Sequence, residues 1–267
     1  CQRSDKLMKT TFVSTGSISS ATRQSIQQTQ VKLAEAQKEV TTGRLADVGA
    51  SLGYKTGQTL SLRQDHARLT TIIDTNSVVN TRLSATQAAL KSLSDDSQLF
   101  VSQLIAARNT DSGHTVLQNQ AKAALNSFTN QVNSAIDGAH LFAGINADVT
   151  PIADYNQTPT PPNRQAVADA FAAAFGTTTT DPANKNISAS DMQAFLDGPF
   201  SALFDDPAWT TNWSAASDQN VKSRISPSEL IETSTNANDA GIRKLAKAYA
   251  MVSDLGVENM NQSAYQA

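Results

Sequence analysis

Cysteine is nearly absent: Cys1 is the only one. A lone thiol forms no internal disulfide, and the chain after it holds neither a thiolate nucleophile nor a cysteine-based metal site. Aromatic residues are also scarce, at 6% of 267 residues, and hydrophobic residues reach only 39%. Large aromatics supply much of a compact core's buried area. Their scarcity suits long helices packed side by side, with a core spread along a rod. An excess of one charge is missing as well, since 21 Lys and Arg stand against 24 Asp and Glu. The net charge of −3 gives no basic face for nucleic acid. No apolar run approaches the roughly 18 residues of a membrane span. The opening CQRSDKLMKTTFVST lacks the apolar stretch of a cleaved secretory signal.

Chemistry-bearing patterns are equally sparse. His66, His114 and His140 lie far apart and are expected at surfaces or interfaces. Asp95-Asp96 and Asp205-Asp206 are sequence neighbours that point apart on a helix, so neither forms an acid–base dyad. Asp95-Asp96 reads as a solvated flank. There is no phosphate-binding loop, dinucleotide fingerprint or nucleophile elbow. The sequence therefore offers no catalytic, cofactor-binding or metal-binding residues, and the chain is read as a non-enzyme.

What is present is helical periodicity. Ser14 to Val40 reads as a helix with Ile18, Ile26, Leu33 and Val40 as its larger apolar positions, and Thr42-Gly43 as its stop. GRLADVGASLGYKTG, with four glycines in fifteen residues, reads as irregular. From Leu62 to Arg108 a heptad pattern dominates. Every seventh residue gives Leu62, Leu69, Asn76, Leu83, Leu90, Ser97 and Leu104. Three residues on lie Asp65, Ile72, Val79, Thr86, Leu93, Phe100 and Ala107. Ten of these fourteen are apolar, which predicts one continuous helix about 70 Å long. Asn76 and Ser97 either fix register or face a wetter stretch of the seam.

NTDSGHT breaks this helix, and Asp111 or Ser112 could cap the next. Leu117, Ala121, Leu125, Phe128, Val132 and Ile136 then mark a second amphipathic helix, antiparallel to the first, which Asp137-Gly138 ends. Four prolines between 148 and 163 forbid further helix. The segment 150–225 holds both tryptophans and most of the phenylalanines. It reads as a small mixed α/β insert with two short helices, RQAVADAFAAAF and SASDMQAFLDGPFSALF, the second capped by Ser188 or Ser190. VKSRISPSELIETSTN reads as paired extended segments. Trp209 and Trp213 would share a helix face, and they are expected to anchor the insert's core rather than to stack on sugar rings. After Asn238, Ile242, Leu245, Tyr249, Val252 and Leu255 restore a helical period that is expected to run to the chain end.

Two motifs give the pattern a relative. Thr41-Thr42-Gly43-Arg44 closes the first helix, and Asp137-Gly138-Ala139-His140-Leu141-Phe142-Ala143-Gly144 closes the rod. With the heptad helix between them, they resemble the flagellin family, and within it the hook–filament junction branch (the L-type hook-associated proteins), particularly those of alpha-proteobacteria. Filament flagellins usually place a run of acidic residues after the Gly-Arg; here only Asp47 stands there. The resemblance implies a mainly α fold, an elongated antiparallel helical rod of coiled-coil type with a small inserted α/β domain. Its expected divisions are a non-native leader at 1–7, with Met8 as the natural start, an N-terminal rod at 8–149, the insert at 150–225, and a return segment at 226–267. The last opens a C-terminal rod helix that stops short.

The resemblance also implies an extracellular structural subunit of the bacterial flagellum at the hook–filament junction, exported by the flagellar type III apparatus. Implied partners are further copies in a ring or helical assembly, other hook-associated proteins and flagellin, and an export chaperone in the cytoplasm, with no nucleic acid, membrane or cofactor. The rod seam would be Leu62, Leu69, Ile72, Val79, Leu83, Leu90, Leu93, Phe100 and Leu104. The family motifs would be carried by Thr42, Gly43, Arg44, Asp137, Gly138, Leu141, Phe142 and Gly144. The other readings are a filament flagellin, or a flagellin-like surface protein that binds polysaccharide through an exposed tryptophan pair.

Overall fold

The computed structural model describes residues 15–47, 49, 53–107 and 114–266. The expected leader at 1–7, the start at Met8 and the caps Asp111 and Ser112 lie outside them. Among the described residues the fold is mainly helical, with two small two-stranded sheets. The chain divides into two units, residues 1–68 and 69–267.

In the first unit, α1 runs Thr15–Thr42 and buries none of its residues. It stops where its chemistry says it should. Gly43 takes the left-handed φ of +63°, and its N–H donates 2.8 Å to the Glu39 carbonyl, closing the last turn. The Glu39 carboxylate accepts from the Ala46 N–H at 2.9 Å and holds the exit. After a 3₁₀ turn at Gly53–Lys55, α2 begins and runs Thr56–Ala107, 52 residues without a break at Asn76 or Ser97.

In the second unit, the buried residues of α2 are Ile72, Val79, Thr86, Leu93 and Phe100, each seven after the last. This is the second of the two heptad rows. In the first row Leu83 and Leu104 are half-buried, while Leu69 and Leu90 are exposed, as is Leu62 in the first unit. The reason is the helix arrangement. Helix α3 (His114–Val132) packs most extensively on α8 (Ala240–Asp254), and α2 meets that pair along one row. Helices α2 and α3 are antiparallel: Leu104 and Leu117 line one groove, whereas Asp96 accepts from Ser127 Oγ at 3.1 Å and Gln131 Nε2 at 2.8 Å. Tyr249 of α8 closes the three-helix core, edge-on to Phe100 at 5.0 Å and to Phe128 at 5.9 Å. Each such side chain contributes about 1.5–3 kcal/mol when fully buried.

The Asp95-Asp96 pair therefore divides. Asp95 is a solvated flank, bonded to Lys91 one turn earlier. Asp96 is not: it is half-buried and ties α2 to α3. Asn76 also finds a distant partner, donating 3.0 Å to the Ile225 carbonyl, while Ser97 bonds its own helix at Ser94.

The segment after α3 opens with strands β1 (Ala135–Ile136) and β2 (Ala139–His140), paired antiparallel. The segment 150–225 holds short helices joined by irregular chain: α4 (Pro162–Phe175), a 3₁₀ turn (Pro182–Asn186), α5 (Ala189–Asp197), α6 (Pro199–Ala202) and α7 (Ala208–Asn212). Pro162 suits the first turn of α4, where an N–H has no partner anyway. Of the two candidate caps on α5, Ser188 is the one used, accepting 3.1 Å from the Asp191 N–H. Strands β3 (Lys222–Arg224) and β4 (Leu230–Glu232) pair antiparallel, so the expected boundary at 225 falls inside a hairpin. Helix α8 does not continue to the chain end. It stops at Asp254, and Gly256 takes φ +66° with the Thr179 carbonyl packed where a Cβ would stand. A 3₁₀ turn (Val257–Asn259) and the short α9 (Gln262–Gln266) follow.

Candidate assembly site

The run from Asp137 to Gly144 is built in two steps. Asp137 and Gly138 both have positive φ, +51° and +80°, and link β1 to β2. A two-residue Asp-Gly loop of this hand matches the twist of a short hairpin. The Leu141 N–H then donates 3.0 Å to the Ser134 carbonyl, and Leu141 and Phe142 enter the core that also holds Val132 and Phe128. His140 is fixed beside them: its Nδ1 donates 2.8 Å to the Asn133 carbonyl, and its own carbonyl accepts from Arg82 of α2 at 3.2 Å.

The second step clamps this turn between two later stretches of chain. The Ala237 N–H donates to the Phe142 carbonyl at 2.7 Å, and the Gly144 N–H to the Thr235 carbonyl at 3.2 Å. On the other side Ser217 N–H donates to the Ala143 carbonyl at 3.0 Å, and Ile145 N–H to the Gln219 carbonyl at 2.9 Å. The approach is so close that a Cβ on Gly144 would lie 2.5 Å from the carbonyl oxygens of both Ser217 and Gln219. Only glycine fits there, for space as well as for its φ of +63°.

Asn238 completes the clamp, and sequence reasoning missed it. Its Oδ1 accepts from Trp209 Nε1 at 2.9 Å and from Ser214 Oγ at 2.5 Å. Its Nδ2 donates to the Ala216 carbonyl at 3.1 Å and to Asp218 at 2.7 Å. All four partners precede it by at least 20 residues, so no local pattern marks it. Arg243 caps the arrangement, donating to the Asn238 carbonyl and to Asp206, with its guanidinium over the Trp209 ring.

Trp209 and Trp213 are both buried and stack on one another at 5.4 Å. Phe204, Phe200 and Phe195 continue the aromatic row from them. A buried pair offers no face to a sugar ring, so the ground for polysaccharide binding is absent. On the far side of Trp213, Tyr155 stacks at 5.2 Å and donates its hydroxyl to Asp254 at 3.0 Å. Burial, and then the Asp254 charge, push the Tyr155 hydroxyl far above the usual tyrosine range. Arg164 clasps the same carboxylate through two nitrogens at 3.1 and 2.9 Å, which raises its own pKa. Tyr249 is pushed up to about 12, by burial first and by the Asp96 charge second.

Histidine placement differs from expectation in one case. His114 is buried with its ring 3.9 Å from that of Tyr265, because the first turn of α3 is covered by α9. Among the described residues no group of three His, Cys, Asp or Glu is placed to hold a metal ion, and no helix is long and apolar enough to cross a membrane. Thr42, Gly43 and Arg44 stand at the end of α1, exposed. The structure presents a clamped turn, a half-covered heptad helix, and an α1 that buries none of its residues.

The family of the bacterial flagellin N-terminal helical region matches residues 13–147, just over half of the chain. The chain belongs to the flagellin family. No curated protein and no solved structure matches it. The match takes in α1, α2, α3 and the turn through Gly144 and ends as the insert begins. Flagellin-family proteins are structural subunits of the extracellular bacterial flagellum, and they self-assemble into a polymer. Among the described residues, α1 and the outer row of α2 carry exposed apolar side chains, Ile18, Ile26, Leu33, Leu69 and Leu90 among them.

Proposed function

We propose that this flagellin-family chain is a hook–filament junction subunit, of the hook-associated type and of alpha-proteobacterial kind. It leaves the cell through the flagellar export apparatus with the help of a cytoplasmic chaperone, joins copies of itself in a ring or helical layer, and connects the hook side to the filament side. It performs no catalysis.

The observation that supports this reading best is the clamp on residues 137–144. A junction subunit transmits torque between two different polymers. It needs its outer segment fixed to the helical segment rather than tethered to it. Here the Asp-Gly-x-x-Leu-Phe-x-Gly run is held from both sides by backbone hydrogen bonds and by a glycine without room for a side chain, and Asn238 ties the two clamping stretches to each other. The stretch after Arg44 supports the same reading, because it carries only Asp47 where filament subunits carry an acidic run.

Electron microscopy of a deletion strain tests the proposal. Hooks should form, filaments should be missing, and filament protein should accumulate in the medium. Gold labelling of a tagged chain should mark one band per flagellum, at the hook's distal end. Label along the whole filament would instead make the chain a filament flagellin, and normal filaments in the deletion strain would refute the junction role.

A further inference from the structure

An apolar groove of about 250 Å³ opens among α2, α3, α5, α8 and α9. Leu104, Ile105, Met192, Met251, Met260 and Tyr265 are among its lining residues. Three of the chain's four methionines are therefore gathered at one opening. Methionine is the side chain that reshapes most readily around an apolar guest. Ile105, on its edge, is 69% exposed.

The groove is lined almost wholly by apolar side chains, so it suits a large apolar or aromatic side chain. The exposed large apolar residues of the described chain include one aromatic, Tyr54, and it is 93% exposed. In a chain so poor in aromatics, every other tyrosine is wholly or partly buried. Tyr54 stands on the 3₁₀ turn before α2, with Lys55 beside it and the ammonium 5.8 Å from its ring. The groove offers the matching charge: Glu258, exposed, lies between the lining residues Val257 and Met260.

We infer that Tyr54 of one copy inserts into this groove on a second copy, with Lys55 against Glu258 at the rim. Knob and groove are different surfaces, so the contact is head-to-tail and leaves each end free to add another copy. It deepens the proposed function by naming one self-assembly contact, and it rests on the chain forming a polymer, not on where in the flagellum that polymer sits. Tyrosine suits the role, since interface anchors are enriched in it.

Cross-linking of the full chain in a Cys1→Ser background tests the contact. Chains carrying Tyr54→Cys and chains carrying Met260→Cys are mixed, polymerised and oxidised. A 54–260 disulfide between the two kinds of chain is expected, and it should be scarce in either variant alone. Tyr54→Ala should weaken self-association roughly 10- to 30-fold, as loss of an anchor does, while Tyr54→Phe keeps most of it. Lys55→Glu and Glu258→Lys should each weaken it, and the two together should restore it. Polymers that form without the 54–260 link, or charge changes that merely add, overturn the inference while leaving the junction reading intact. Natively helical chains that stay monomeric at every concentration also overturn it.

Discussion

Replacing Gly144 by alanine probes the clamp most directly. Two costs arise at once. A left-handed φ costs an L-residue about 1–2 kcal/mol, and φ here is +63°. The new Cβ would also stand 2.5 Å from two carbonyl oxygens, against an optimal separation of about 3.5 Å or more. Those carbonyls are backbone and cannot rotate aside, so the 217–219 stretch must move away from the turn, at about 1–3 kcal/mol for overpacking of this kind. That movement weakens the Ile145–Gln219 and Ser217–Ala143 hydrogen bonds, each worth about 1 kcal/mol. Together these give a loss of about 3–6 kcal/mol. Gly138 is the control: its φ is +80°, yet nothing lies within 4 Å of a Cβ there, so Gly138→Ala should lose only the conformational part, about 1–2 kcal/mol. Urea unfolding followed by tryptophan fluorescence reads both variants, and limited proteolysis between residues 145 and 165 reports local opening. Gly144→Ala should be the less stable variant by about 2–4 kcal/mol and be cut faster in that window. Equal losses at the two glycines would refute the clamp as the source of the cost.

Phe100→Ala should cost about 3–5 kcal/mol, whereas Leu90→Ala, on the uncovered row, should cost under about 1 kcal/mol in the isolated chain; equal losses in thermal melts would show that both rows are buried. Trp209 and Trp213 should resist quenching by a neutral soluble quencher until the chain unfolds, and strong quenching of the native chain would contradict their burial. Alkali should act through Tyr249 and Tyr155. Their folded pKa values lie above the unfolded value near 10, so the stability they contribute is complete below about pH 10 and is lost as pH rises. For Tyr249 the loss falls between about pH 10 and pH 12. Phenolate absorbance should report these two tyrosines late and together with unfolding, and a smooth titration of all tyrosines with the helices intact would refute this.

Periodicity and local end signals were enough to locate most of the helices. Apolar residues every seven positions require one face of a helix to be covered, and that requirement survives Asn76 and Ser97 because a long helix tolerates an occasional polar seam position. Gly43 and Ser188 were legible for the same local reason: a helix end leaves backbone groups without partners, and these residue types supply the geometry or the acceptor within the same turn. The change of direction at Asp137-Gly138 was legible because the pair tolerates positive φ, but the helix expected to reach it stops at Val132, and Ile136 stands in β1 instead.

Tertiary structure alone decided which row of the heptad is covered, because both rows look alike until α3 and α8 arrive. It decided that Asp96 is a tie while Asp95 stays in water, although the two are neighbours in sequence. It ended α8 at Asp254, since the Thr179 carbonyl that makes Gly256 obligatory lies far upstream in the chain. Asn238 and the space limit at Gly144 were hidden for the same reason. A hydrogen bond or a close approach between distant segments depends on where both segments come to rest, and no local pattern records that. The sequence by itself determined which segments are helical and where most of them stop. The packing of those segments determined which contacts the chain makes within itself and which apolar faces stay exposed, because coverage depends on where distant segments come to rest.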